Sequence, residues 1–492
     1  MSMETLPHLW TQVPIEDCLL AYPNGRRIRQ GWSPQCENHP AETLDDWGVL
    51  KTSAIQDGEY VETANKHIPS KLKPRTQLEV ETGDILITCA GPRSRCGVTC
   101  LVRKTRPKLL ISGKMYQLRA DPEIIDRHLL ELFLREPGTK HKIDEMKTGI
   151  SDSGLNLTHG RFSMLEVPLP PHNEQQRIVA KIEELFSELD AGEESLRRAR
   201  RLLGVYRQSL LKQAFEGKLT APWRAQNPHL LESPATSNIS AEELKGLAEL
   251  PPGWRHTRFG EFVHHIDAGK SFRCEERRPK RNEIGVAKVS AVSWGEYDEA
   301  ESKTCMDPEK VNLGYLIRPG DFILSRANTI ELVGACVIVH HVTQRVMLSD
   351  KTLRLTIDNE RKPFLLNFLR SRKGRQEIEK RSTGNQESMR NIGQERIRSI
   401  IIPECTLPEQ QEIVRLLDEQ FTAIEQNERE IDAALKRSAA LRQSILKKAF
   451  TGQLVLQDPS DEPASQLLER ICAERETAAK APKKKAAKKI RP

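Results

Sequence analysis

Apolar residues recur at alternating intervals of four and three through Ile178, Ile182, Leu185, Leu189, Gly192, Leu196, Ala199, Leu203, Tyr206 and Leu210. That interval is the seam of a helix packed along a second helix. A second run repeats it through Ile413, Leu417, Gln420, Ile424, Asn427, Ile431, Ala434, Ser438, Leu441 and Ile445. Pro171 and Pro408 stand just before the runs, and Gly217 and Gly452 just after them, where a left-handed cap costs little. Unbroken from Glu174 to Ala214, such a helix would be about 60 Å long. A lone amphipathic helix of this kind is unstable in water, so each copy is the simplest partner for the other. Antiparallel pairing would carry the globular block preceding each helix to opposite ends, related by a pseudo-two-fold axis. Gly192, Gln420, Asn427 and Ser438 are weak seam positions that would fix the register.

The globular blocks show a different period. Gly83–Thr88 and Gly97–Val102 in the first, and Asp321–Ser325 and Gly334–Val339 in the second, are short β-branched runs that predict strands. Helical patterns follow at Asp126–Arg135 and Pro363–Lys380. The fold class expected is mixed α/β (α+β), with two such domains separated by two long antiparallel coiled-coil helices.

The matching runs belong to a repeat of the whole chain. Glu174-Gln175-Gln176-Arg177-Ile178-Val179 is echoed 235 residues later by Glu409-Gln410-Gln411-Glu412-Ile413-Val414, and Arg207–Phe215 by Arg442–Phe450. Upstream, Gly48, Lys51, Ser53, Ala54, Gly58, Glu59 and Tyr60 match Gly285, Lys288, Ser290, Ala291, Gly295, Glu296 and Tyr297 at an offset of 237. Gly83-Asp84, Gly97 and Lys114 match Gly320-Asp321, Gly334 and Lys351 at the same offset. Gly31-x-Ser33-x-x-Cys36-Glu37 matches Gly269-x-Ser271-x-x-Cys274-Glu275 at 238, and Trp10 corresponds to Trp254. The helical blocks match densely and the globular blocks only at scaffold positions, as one framework presenting two surfaces would.

Charge sharpens this. The 492-residue chain is too long for one core, and its net charge of +7 mildly favours an acidic partner. The basic residues cluster in the poorly matched loops: Arg26, Arg27 and Arg29; Lys71, Lys73 and Arg75; Arg93 and Arg95 in the first block. The second block has Lys270 and Arg273, then Arg277, Arg278, Lys280 and Arg281, then Arg326 beside Asn328. Arg and Lys suit phosphates and guanine edges, and Asn and Gln suit adenine. Within the matched segments Lys51–Tyr60 and Lys288–Tyr297 the middles differ, Ile55-Gln56-Asp57 against Val292-Ser293-Trp294. Lys51, Ser53, Gln56, Lys288, Ser290, Ser293 and Trp294 therefore join the DNA-contact candidates. For any one of these residues a solvated surface is the simpler reading; equivalent clusters in both halves favour DNA.

Motifs for chemistry are weak. Ala268-Gly269-Lys270-Ser271 resembles the end of a phosphate loop, but His264 stands where the motif needs glycine. Asp152-Ser153-Gly154 is not kept in the second half, where Glu387-Ser388-Met389 occurs. Cys96 and Cys100, His264-His265 and His340-His341 lack spaced partners, so no metal site and no catalytic residue are expected. Ten scattered cysteines, no signal-like N-terminus and no span-length apolar run lead us to expect a cytoplasmic protein without a membrane segment. The Lys-rich stretch Pro482–Lys489 is expected to be a disordered tail.

Pro168-x-Pro170-Pro171-x-x-Glu174-Gln175-Gln176, the long helix ending in Arg207-Gln208-Ser209-Leu210-Leu211, and Ala214-Phe215-x-Gly217-x-Leu219 resemble the specificity subunit of type I restriction-modification systems. The second copy, through Ala449-Phe450-x-Gly452-x-Leu454, resembles it equally. The resemblance spans roughly residues 5–470, and the basic tail falls outside it. It implies target-recognition domains at 1–172 and 250–407, long helices at 173–217 and 408–452, a linker at 218–249 and a C-terminal segment at 453–492. It further implies that each domain reads one half of a split double-stranded DNA site. The paired helices would set the spacer and dock two methyltransferase subunits, with restriction/translocase subunits joining them. S-adenosylmethionine, ATP and Mg would belong to those partners and no cofactor to this chain. An enzyme with an unrecognised site, and a coiled-coil scaffold that does not bind DNA, are the alternatives.

Overall fold

The computed structural model describes residues 6–231, 239–292, 295–386 and 389–480. Two compact units emerge, one of Met1–Ser195 with Ala433–Pro492 and one of Leu196–Asp432. Two 44-residue helices, α1 (His172–Phe215) and α2 (Leu407–Phe450), each contribute one half to each unit.

The two units share one topology. In the first, a four-stranded sheet runs Ile28–Gln30, Met115–Leu118, Ile85–Thr88, Thr99–Leu101. In the second, His265–Ala268, Thr352–Thr356, Phe322–Ser325 and Cys336–Ile338 stand in the same order. A two-stranded ribbon closes each domain onto its helix, Thr11–Pro14 with Glu166–Leu169 and Arg255–Arg258 with Ile401–Glu404. The helical stretch expected as one piece at Pro363–Lys380 is two helices, Lys362–Arg370 and Arg372–Arg381. Ser371 takes an extended ψ of 157° between them, and its hydroxyl caps the second by accepting from Gly374 N at 3.1 Å.

Each unit has its main core where a domain meets two helix halves. In the first unit Ile178 and Ile182 of α1 share a core with Leu446, Ala449 and Phe450 of α2 and with Leu129 and Phe133 of the domain. The rings of Phe133 and Phe450 meet edge-on at 5.4 Å. In the second unit Leu210, Leu211, Ala214 and Phe215 of α1 pack with Ile413, Leu417 and Ile424 of α2, and Phe215 lies edge-on to Phe364 and Phe368 at 5.3 and 5.2 Å. Burying a phenylalanine contributes about 1.5–3 kcal/mol, so both helix ends are firmly held. Each domain thus grips the start of the helix that follows it and the end of the other long helix.

The pairing is antiparallel within each unit. Glu193 accepts from Ser438 Oγ at 2.8 Å and Asp190 pairs with Arg442 at 2.6 Å in the first; Arg200 pairs with Asp432 at 2.8 Å in the second. The seam is not uniformly apolar. Ile178, Ile182, Ile413, Leu417, Ile424 and Ile431 are buried, whereas Leu185, Leu189, Leu196, Leu203 and Ile445 are half-buried. Leu441, expected on the seam, is 52% exposed. Its neighbours Arg442 and Leu446 face inward instead, Arg442 lying over the Phe186 ring at 5.1 Å. A straight helix drifts off a strict seven-residue repeat by about 20° per heptad, and polar pairs fill the stretch where the apolar stripe has rotated away.

Both helices end alike. Gly217 (φ +69°) and Gly452 (φ +70°) adopt the left-handed conformation, and a Cβ there would also lie 2.5 Å from Pro251 and 2.2 Å from Pro7. At the helix starts Glu174 Oε2 accepts from Trp10 Nε1 at 3.0 Å, and Glu409 Oε2 from Trp254 Nε1 at 2.9 Å. The Trp10–Trp254 correspondence therefore has a structural cause. A third long helix, α3 (Ala464–Lys480), was not anticipated. It buries Ala464, Leu467 and Ile471 in the first core, and Arg475 pairs with Asp121 at 2.6 Å. The basic tail, Pro482–Lys489, lies outside the described residues. Among the described residues no helix is long and apolar enough to cross a membrane.

Candidate nucleic-acid interface

The repeat motifs converge in space. In the second unit Lys270, Ser271, Cys274, Lys288, Ser290 and Lys351 line one cleft of about 560 Å³. Gly269 is what lets the Gly-x-Ser-x-x-Cys-Glu segment lie there: a Cβ would sit 2.4 Å from Ser349 O. Gly31 does the same in the first unit, where a Cβ would meet Ile111 O and Ser112 O at 2.3 Å. Four lysines line the cleft against Glu276 and Asp350. Lys303 is committed to Glu276, and Ser290 Oγ donates to Glu301 at 2.7 Å. Lys288 and Lys351 form no side-chain hydrogen bond or ion pair among the described residues, and Lys270 only approaches the Tyr315 ring at 5.9 Å. The cleft can therefore receive anionic oxygens without first breaking an internal pair.

The first unit keeps the frame and changes the lining. Ser33 Oγ accepts from Gly113 N at 3.1 Å, and Lys51, Ser53 and Lys114 are exposed. Trp32 stands where the second unit has Lys270, with the Arg75 guanidinium 4.8 Å over its ring. Lys71 and Lys73 are exposed nearby in the chain.

The other candidates divide by what already holds them. Arg26, Arg273, Arg278, Lys280 and Arg281 are exposed, and their side chains make no hydrogen bond or ion pair among the described residues. Arg326 is half-buried beside the matched glycine turn; Asn328 Oδ1 accepts from Thr329 N at 2.9 Å. Arg27 donates to Glu16 O at 3.0 Å and approaches Asp17. Arg29 bonds Gln77 O and lies 3.5 Å over Tyr22, and burial holds its pKa below the ordinary value. Arg93 is clamped between Asp152 (3.0 Å) and Asp144 (2.6 Å), whose hydrogen bonds raise its pKa. Arg277 is held by Glu283 (2.7 Å) and Glu275 (2.8 Å), and its hydrogen bonds draw Glu283 down to about 2.

Arg95 and Gln56 belong to the turn they were expected to present. Arg95 donates to Ile55 O at 2.7 Å, Thr52 O at 2.6 Å and Gln56 Oε1 at 3.2 Å, while Gln56 Nε2 donates to Ser53 O at 2.8 Å. Arg135 and its repeat partner Arg370 also grip this turn in their units, at Asp57 (3.3 Å) and Gly295 O respectively. Ser293 and Trp294 lie outside the described residues. Sequence reasoning passed over Lys351, which lines this cleft, although its match to Lys114 carried the signal. It also missed a gathering of Glu37, His39 and His67, whose ligand-type atoms lie within 4.8 Å of one another.

A family model described as the type I restriction modification DNA specificity domain matches residues 51–196. The type I restriction enzyme EcoEI specificity subunit of Escherichia coli is 40% identical over 160 residues, 32% of this chain and 27% of that one. The EcoKI specificity subunit of Escherichia coli strain K12 is 24% identical over 489 residues, 96% of this chain and 97% of its relative. The StySPI specificity subunit of Salmonella potsdam is also 24% identical, with the same coverage. A solved chain from a study of assembly and conformational transition of the type I R-M system is 21% identical. It covers 92% of this chain and 100% of its own length with a TM-score of 0.64, a likeness of fold. The chain is thus similar to type I restriction-modification specificity subunits, through a matched domain at residues 51–196 and at lower identity along its length, and it shares the fold of the solved chain.

Proposed function

We propose that the chain reads a bipartite double-stranded DNA site through its two domains and contributes recognition, not chemistry, to a restriction-modification complex. The observation that carries this is the cleft in the second unit, where repeat-matched Lys288, Ser290 and Lys351 stand beside unmatched Lys270. Matched residues suit the sequence-independent phosphate contacts and unmatched ones the base edges, the division a DNA reader needs. In this reading the paired helices act as the ruler for the spacer and dock two methyltransferase subunits. Those partners supply S-adenosylmethionine, and restriction/translocase subunits supply ATP and Mg chemistry in the cytoplasm. Two modest half-site affinities held at fixed spacing reinforce each other.

The test is a methylome. The chain is co-expressed with its neighbouring methyltransferase in a host lacking adenine methylation, alone and with residues 250–407 exchanged for another target-recognition domain. The expected outcome is a split motif with a constant gap, in which the exchange changes one half only. A soluble complex that modifies no DNA would refute the reading, as would an exchange that alters both halves.

A further inference from the structure

The gathering at Glu37, His39 and His67 is a built arrangement. His67 ends the strand Asn65–His67, and the segment 37–39 runs beside it: Glu37 N donates to His67 O and His67 N to His39 O, both at 3.0 Å. Glu37 and His39 flank a bend at Asn38–His39, and their side chains meet on the side of His67. The result is a single carboxylate oxygen, Glu37 Oε2, 2.8 Å from both His39 Nε2 and His67 Nδ1. The imidazoles stack at 5.2 Å.

The far ring nitrogens face oxygen atoms, His39 at hydrogen-bond length and His67 at a longer distance. His39 Nδ1 is 2.9 Å from Pro40 O, and His67 Nε2 is 3.8 Å from Asp46 Oδ1. Asp46 is itself fixed by Thr43 Oγ1 at 2.8 Å. With His39 Nδ1 turned to Pro40 O, Nε2 faces the Glu37 carboxylate 2.8 Å away, a gap that either a ring proton or a metal ion can bridge. A backbone carbonyl that orients the ring, as Pro40 O does for His39, is common at metal-bound imidazoles.

The repeat supplies an internal comparison. In the second unit Glu275 pairs with Thr304 across the same strands, and Thr304 N donates to Arg277 O at 3.0 Å, reproducing the backbone frame. There the positive charge is covalent: the Arg277 guanidinium lies 2.8 Å from Glu275 and 2.7 Å from Glu283. The first unit has no arginine at this place, only two imidazoles turned toward the matching glutamate.

We propose that Glu37, His39 and His67 bind one divalent transition-metal ion, with zinc chemistry fitting best. The ion ties the segment 37–39 to the neighbouring strand as Arg277 does in the second domain. Two imidazoles and one carboxylate are a borderline-soft donor set that favours zinc over magnesium or calcium.

The experiment uses the untagged full chain, stripped with EDTA and dialysed. Zn²⁺ is titrated calorimetrically, and Co²⁺ is followed by its visible absorption. One equivalent binding in the micromolar range or tighter, with the intense bands of tetrahedral cobalt and a raised melting temperature, is expected. His39→Arg, which copies the second domain, should abolish it while circular dichroism stays unchanged; His141→Ala, at an exposed histidine elsewhere, should bind as wild type. Absence of saturable Zn²⁺ binding to the wild-type chain overturns the proposal. So does binding that survives both His39→Arg and His67→Asn, since the ion would then sit elsewhere.

Discussion

The lysines of the second-unit cleft allow a quantitative test of DNA contact. Lys270, Lys288 and Lys351 line it without an ion-pair partner among the described residues. If each neutralises one phosphate, replacing all three by glutamine should lower the slope of log K against log salt by about 2.7, at ~0.9 per contact. Extrapolated from about 1 M salt, where this contribution is taken as lost, to about 0.15 M, that slope difference amounts to an affinity loss of about 10²-fold. The assay is fluorescence anisotropy of the assembled methyltransferase complex on a duplex carrying its own site, repeated across a salt series. Arg415→Gln is the control, because Arg415 on α2 is exposed and paired with Glu412 at 2.8 Å; it should leave the slope unchanged. Melting curves separate binding from folding, since Lys270 loses at most a weak contact with Tyr315, worth about 0.5–1 kcal/mol. A folded triple variant with wild-type slope and affinity would refute the assignment of the cleft to the phosphate backbone.

Other substitutions test the frame. Gly31→Ala and Gly269→Ala place a Cβ 2.3 and 2.4 Å from backbone oxygens that cannot yield cheaply. Each should cost its own domain about 1–3 kcal/mol or more, read as lost methylation and earlier proteolysis. Among the described residues the buried Glu174 carboxylate accepts one side-chain hydrogen bond, which Trp10→Phe removes, and burial raises its pKa. A loss of about 1.5–3 kcal/mol is expected in urea unfolding, and a wild-type midpoint would refute the locking role. Glu283 titrates near 2 in the folded chain against 4.5 unperturbed. Its contribution is therefore complete above about pH 4.5 and is lost as pH falls toward 2. Glu283→Gln should lower the melting temperature at pH 7, and the difference from wild type should vanish with acidification; a pH-independent difference would contradict the sign.

The sequence made the repeat legible because duplicated positions are held by geometry that tolerates little change. Glu174 and Glu409 each receive an indole N–H, and Gly217 and Gly452 each turn left-handed against a proline. What it could not show is which cations are free. Arg93 and Arg277 look like loop arginines, yet their carboxylate partners are reached only through folding. Leu441 fits a heptad on paper and points outward because the real helix does not keep a seven-residue period. The helix α3 escaped notice because Ala464, Leu467 and Ile471 form a short stripe beside a lysine-rich tail. His67 lies far along the chain from Glu37 and His39, so spacing rules for metal ligands had nothing to detect.

Comparing the copies separates support from reading. Arg135 and Arg370 hold equivalent turns, and Asp84 and Asp321 accept from Arg119 and Arg354 beside equivalent glycines. Trp32 against Lys270, and His39 against Arg277, differ at the rim of the same frame. Changes at the rim leave the core contacts intact, so a domain can acquire a new surface at little cost in stability. The helix ends set the limit on that freedom. Phe215 packs on Phe364 and Phe368, while Phe450 meets Leu129 and Phe133 at the matching positions. A domain substituted for residues 250–407 must therefore bring a bulky apolar pair to positions 364 and 368. One with small or polar residues there would leave Phe215 without its partners, at about 3–5 kcal/mol by analogy with deleting a buried phenylalanine. Whether a foreign domain supports assembly is thus decided by its packing on a helix from the other half of the repeat, independently of the DNA it reads.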